Sequence, residues 1–325
     1  MRYRSTLLYL LAAIVLVAFY LYETRKEERE QAAKEEAKVI FPVMADPLQS
    51  LILKREKEMI WLEKTSADSD WRIVAPIRAA TDRMTLSRLL RTLAELKYER
   101  LISEKATDFS EFGLDKPSLV ISFRGGKEEE TLSIGARSPM GSSFYASVGK
   151  TGKVYLLSGG LKQELDKSLY DLREKKLLSL EMDKVTRVVI ERKQNKWELY
   201  KKEGRWRLEG DEELKVDQRK VEVFVRPILW ADALSFERET PEDIKAYGLR
   251  EPAARIVLSG DAVTEEIVLG DPVKDTGESS LYAMVKARGA PNPQIVTVRN
   301  RLLADIPTEK EKIREGGEAK KEGSN

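Results

Sequence analysis

The chain has 325 residues, 34% of them charged, but its 57 Lys and Arg nearly cancel its 55 Asp and Glu. That length allows about two ordinary domains, and the near-neutral balance lacks the clustered basic excess of a nucleic-acid binder. There is no cysteine and no histidine, which removes disulfides, Cys and Ser-His-Asp nucleophile systems, and the usual zinc and iron ligand sets.

Residues 7–22, LLYLLAAIVLVAFYLY, are uncharged and almost wholly apolar. Counted from Ser5, the run would rise about 27 Å as a helix, close to the thickness of a hydrocarbon core. The stretch AFYLYET offers no small-x-small cleavage site and no lipobox cysteine. A single transmembrane anchor over residues 1–22 is therefore expected rather than a removed signal peptide, with Leu7–Tyr22 in the membrane. Arg2 and Arg4 precede the run, whereas Arg25, Lys26, Arg29, Lys34 and Lys38 follow it. A strict count of positive residues keeps the C-terminal side in the cytoplasm, but large domains cross regardless of such charges. The residues alone leave the orientation open.

Residues 23–38, ETRKEEREQAAKEEAK, are strong helix formers without an apolar stripe, and Pro42 ends the run. They predict a helical stalk and linker over 23–46, supported by Glu–Lys and Glu–Arg pairs one turn apart.

Beyond the stalk the chain says the same thing twice. Trp71-Arg72-Ile73 recurs as Trp206-Arg207-Leu208, Asp82 as Asp217, Gly113-Leu114 as Gly248-Leu249, Pro117 as Pro252 and Gly135 as Gly270, always 135 residues apart. So long an ungapped match predicts a tandem duplication, with repeat units over 47–180 and 181–306 and a polar, disordered tail over 307–325.

Each recurring position has a backbone role. Asp82 and Asp217 precede apolar runs at helical spacing, which predicts helix caps. Thr107 and Thr240 open a second, shorter helix that Gly113 and Gly248 stop in a left-handed turn, with Leu114 and Leu249 folded back. Period-two segments such as MIWLEK, KVYLL, KWELY and LYAMV predict strands, joined as hairpins by RGGK, GKTG and KKEG. LKQELDKSLYDLREKKLL predicts a helix linking the copies. The expected fold is α+β, a tandem duplication of a mostly antiparallel sheet unit with one long and one short helix, preceded by the transmembrane helix.

Chemistry-bearing motifs are weak. Gly149-Lys150-Thr151 ends like a phosphate loop, but the glycine required five residues earlier is Phe144, and a strand follows. Ser158-Gly159-Gly160 reads as a turn and cap. The acidic runs 128–130 and 211–213 sit among lysines in hairpin loops and read as solvated surface. Trp61, Trp71, Trp197 and Trp206 fall on strands and read as core, with a carbohydrate-stacking platform as the sharper alternative. No catalytic, cofactor-binding or metal-ligating residue is assigned, and no cofactor is expected.

The order of features resembles the domain-of-unknown-function family 4340. The matching motifs are Trp71, Asp82, Phe112-Gly113-Leu114-Asp115-Lys116-Pro117, Ile134-Gly135, Tyr145 and Val154-Tyr155-Leu156. The second copy carries Trp206, Asp217, Tyr247-Gly248-Leu249 to Pro252 and Leu269-Gly270, but has Ile295-Val296 in place of the Val-Tyr strand. The resemblance implies a bacterial inner-membrane protein with a periplasmic body, linked to ABC transporter components of the gliding-motility type, and carries no catalytic residues. The expected function is a non-enzymatic accessory or scaffold that contacts the inner membrane and integral-membrane transporter subunits. A module binding cell-envelope glycan or lipid is the alternative.

Overall fold

The structure, a computed structural model, describes residues 16–316 except 18, 28, 30, 32–35, 42–47, 65, 67–68, 126–127, 140, 262, 275–279 and 287–289. It divides into two compact units, Met1–Ser69 with Met84–Lys167 and Asp70–Arg83 with Ser168–Asn325. The first copy runs β1 (Leu48–Lys54), β2 (Met59–Lys64), β3 (Trp71–Ala75), β4 (Ala79–Ala80), α1 (Arg83–Ala94), β5 (Arg100–Ser103), β6 (Leu119–Gly125), β7 (Glu128–Arg137), β8 (Phe144–Val148) and β9 (Val154–Leu157). Short helices α2 (Gly159–Leu165) and α3 (Leu169–Leu172) follow. The second copy runs β10 (Arg187–Arg192), β11 (Asn195–Lys202), β12 (Arg205–Leu208), α4 (Gln218–Leu229), β13 (Ser235–Arg238), β14 (Ala254–Gly260), β15 (Val263–Pro272), β16 (Ser280–Val285), β17 (Gln294–Arg299) and α5 (Arg301–Asp305).

Within the first unit the strands lie in the order β2-β1-β6-β7-β8-β9-β5, every pair antiparallel. Within the second the order is β12-β11-β10-β14-β15-β16-β17-β13, again antiparallel throughout. Strand for strand, β11-β10-β14-β15-β16-β17-β13 repeats the first series. Alternation sends one face of each sheet inward. Leu51, Leu53, Ile60, Leu62, Ile121 and Leu132 are fully buried in the first unit, and Leu86, Leu89 and Leu93 bring α1 to its core. In the second, Val221, Phe224, Val225, Ile228 and Leu229 of α4 join Val188, Ile190, Leu199, Ile256 and Val298.

The α+β expectation is corrected to a mostly β chain of two large antiparallel sheets with few helices. The expected short helix is a three-residue 3-10 turn in each copy, Ser110–Phe112 and Lys245–Tyr247. Asp108 and Asp243, not the threonines, accept the backbone N–H groups of Ser110 and Lys245, each at 2.8 Å. The linking helix is interrupted because Asp166 leaves helical geometry and a Ser168–Asp171 capping box starts a new turn. That turn ends at Arg173, which is extended. The polar stretch read as a tail is structured at Ile313, which is fully buried and whose carbonyl accepts the Asp217 N–H at 2.7 Å.

The transmembrane helix of the expected fold is not found: among the described residues no helix is long and apolar enough to cross a membrane. Residues 7–15 of the apolar run, Pro42 and residues 317–325 lie outside the described residues. Residues 19–27, which include the start of the expected stalk, are helical.

The repeated glycines form one device. Gly113 (φ 61°) and Gly248 (φ 67°) are left-handed and close the 3-10 turns. The next N–H reaches back five residues, Leu114 to the Phe109 carbonyl at 3.0 Å and Leu249 to that of Ile244 at 3.1 Å. Pressed against each stop is the second glycine of the copy, on strand β7 or β15. A Cβ on Gly135 would overlap the Phe112 carbonyl oxygen, and one on Gly270 that of Tyr247. An edge-to-face aromatic pair lies beside each contact, Phe112–Tyr145 at 5.1 Å and Tyr247–Tyr282 at 5.0 Å.

Gly135→Ala and Gly270→Ala should each lower stability by about 1–3 kcal/mol, because a backbone carbonyl must move. Gly248→Ala should cost nearer 1 kcal/mol, since the atoms its Cβ meets belong to the Asp271 side chain, which can rotate. Chemical denaturation of the purified chain checks the order. Unchanged unfolding of Gly135→Ala would contradict the packing.

Candidate functional site

The residues singled out by sequence do not converge. Asp217 caps α4, accepting from the N–H groups of Arg219 at 3.0 Å and Lys220 at 3.2 Å, and Asp82 pairs with Lys175 at 3.4 Å. Ser158 caps α2 through the Leu161 N–H, and Gly149 sits in the β8–β9 turn with φ 50°. Asp211 is bound by Lys310 at 2.8 Å, and that contact holds its carboxyl below the usual range. Trp197 and Trp206 are buried in the second core; Trp61 and Trp71 are half-buried. Among the described residues no cluster of acidic side chains is placed to hold a metal ion.

The site that does stand out was not anticipated. A groove of about 790 Å³ opens along α4 in the second unit. Val223, Pro227 and Trp230 come from α4 and its end, Tyr170 from α3 and Leu302 from α5. Val223 and Trp230 are each 63% exposed. Residues 135 earlier on α1 and just after it, in the place of these two, the first copy has Arg88 and Glu95, both exposed. At these two positions charged side chains in one copy stand against apolar ones in the other, whereas Met84, exposed in the first copy, stands against Arg219 in the second; comparison of the copies was the signal that could have found the groove. Val223 and Trp230 fall outside the motifs that the sequence offers, and single apolar residues on a helix exterior attract no notice.

The groove's Tyr170 wall is backed by a relay of side chains. Tyr170 donates its hydroxyl to the Ala233 carbonyl at 3.1 Å and packs on Phe236 with ring centroids 6.3 Å apart. The Arg173 guanidinium lies 3.4 Å from the Phe236 centroid. Arg173 is only 3% exposed and makes a two-pronged pair with Glu239, at 2.5 and 3.0 Å. Gln294, on β17, donates its amide to the same carboxylate at 2.7 Å. Partial burial pushes the Tyr170 hydroxyl pKa up, with Asp232 and Asp171 adding to the shift. Burial, then the Glu174 carboxylate, also raises Asp232 at the groove's edge, against Lys175, Lys176 and Arg299.

These features define a tandem-repeat antiparallel-sheet protein with an open amphipathic groove on its second copy. The chain belongs to the family described as Domain of unknown function (DUF4340), which matches residues 71–252 and 206–322. No curated protein and no solved structure gives a significant match.

Removing one partner of the Arg173–Glu239 pair should be felt. Glu239→Gln should destabilise the second unit by about 1 kcal/mol, because the buried Arg173 loses a counter-charge that is itself partly solvated. Trp230→Ala should change stability by less than about 0.5 kcal/mol, since the indole packs on little. Urea unfolding followed by intrinsic fluorescence distinguishes the two; equal losses would place Trp230 in the core.

Proposed function

We propose that the protein is a non-enzymatic accessory of an ABC-type transport assembly, held at the bacterial inner membrane through Leu7–Tyr22 with its body in the periplasm. Membership of the family and the apolar N-terminal run support the location. The observation that carries the docking role is the exposed Val223–Trp230 face, where the duplicated copy has Arg88 and Glu95. Large aromatics in water beside arginines are the residue types that anchor protein partners. A duplicated scaffold lets one copy keep a soluble exterior while the other acquires a binding face.

An envelope glycan- or lipid-binding module is the second reading. Its original support, the strand tryptophans, is reduced by the burial of Trp197 and Trp206. It now rests on Trp230 and Tyr170, which share the groove.

The full chain, solubilised in several mild detergents and purified by a C-terminal tag, should bring down integral-membrane transporter subunits. Trp230→Ala should reduce their recovery by roughly tenfold, while Trp61→Phe should not. Recovery as a free monomer in every detergent would overturn the transport reading.

A further inference from the structure

The charges around the groove say more about what enters it. Lys175, Arg219, Arg226, Arg299 and Arg301 line it, against Glu222, Asp232 and Asp305. Arg226 is paired with Glu222 at 3.1 Å and Arg301 with Asp305 at 3.3 Å. Among the described residues neither Arg219 nor Arg299 has a carboxylate within ion-pair distance, and both are exposed. The lining therefore holds five basic side chains against three acidic ones, and Asp232 is the carboxylate that feels Arg299.

We propose that the groove binds an acidic segment of a partner protein, anchored by one bulky apolar side chain between Tyr170 and Trp230; this rests on the docking reading above. Charge complementarity selects the sign: Arg219 and Arg299 take carboxylates of the incoming segment. The interspersed Glu222, Asp232 and Asp305 argue for a polypeptide over an anionic lipid surface. A dense anionic surface would draw on every cation of the wall, but Arg226 and Arg301 are already paired with Glu222 and Asp305, whereas a peptide with spaced charges needs only Arg219 and Arg299. Arg226 lies 5.3 Å from the Trp230 ring centroid, a cation–π contact on the exposed indole.

The test uses the full chain in lipid nanodiscs and a labelled synthetic peptide in which one leucine is flanked by aspartates and glutamates. The same peptide with lysines and short-chain phosphatidylglycerol are the two comparison probes. Anisotropy should report saturable binding of the acidic peptide, weakening as salt rises. Trp230→Ala or Arg299→Glu should each weaken it roughly tenfold or more, and both variants should unfold like the parent. Equal binding of the lysine peptide, or failure of the acidic peptide to bind, overturns the proposal. So does phosphatidylglycerol binding through Trp230 and Arg299 without peptide binding, which would assign the groove to lipid. If the acidic peptide binds but no transporter subunit co-purifies, the transport reading falls and the peptide site stands. If Trp230→Ala abolishes co-purification but the peptide fails, the groove docks a partner of different chemistry.

Discussion

In each copy a strand glycine presses on the carbonyl that precedes a left-handed glycine. The left-handed stop at Gly113 sets its preceding carbonyl where a side chain of residue 135 would be, and Gly248 does the same to residue 270. That contact fixes where the chain turns out of the 3-10 segment and into β6 or β14, and so sets which residues of those strands face the core. Leu114 and Leu249 are buried by the same turn, and an aromatic pair covers it. Both copies reproduce the device and the strand order downstream of it.

Much of this was written in local sequence. Period-two segments such as MIWLEK and KWELY became β2 and β11, because alternation is a direct readout of a half-buried pleat. Asp217 capped its helix as its position implied. What failed was length and continuity. Residues 107–113 and 240–248 carry the signals of a helix end, but the Asp108 and Asp243 turns leave room for three helical residues only. Residues 161–178 have good helix formers throughout, yet a capping box in mid-segment and the extended Arg173 break the run. Propensity sums over a window and does not see such punctuation. The result is a chain with far more sheet than the balance of helix formers suggests.

The groove was illegible for a different reason. Its walls come from α3, α4 and α5, spread over residues 169–305, and no local pattern links Tyr170 to Arg299. The relay from Gln294 through Glu239 and Arg173 to Phe236 is equally non-local. It places a buried arginine behind an aromatic wall, a choice that holds the wall in one position at the expense of desolvating a charge. Copy-to-copy comparison does expose half of the site: the exchange of Arg88 for Val223 and Glu95 for Trp230 is visible in the sequence once the repeat is aligned. Duplication kept the sheet and its glycine device in both copies and let the helix exterior diverge in one.

The central claim is that the second copy is the docking copy. A photo-crosslinking amino acid placed at position 230, and separately at the equivalent position 95, would test it in living cells. The account expects a discrete higher-mass product from 230 and none from 95. Equal crosslinking from both positions, or a product from 95 alone, would contradict it.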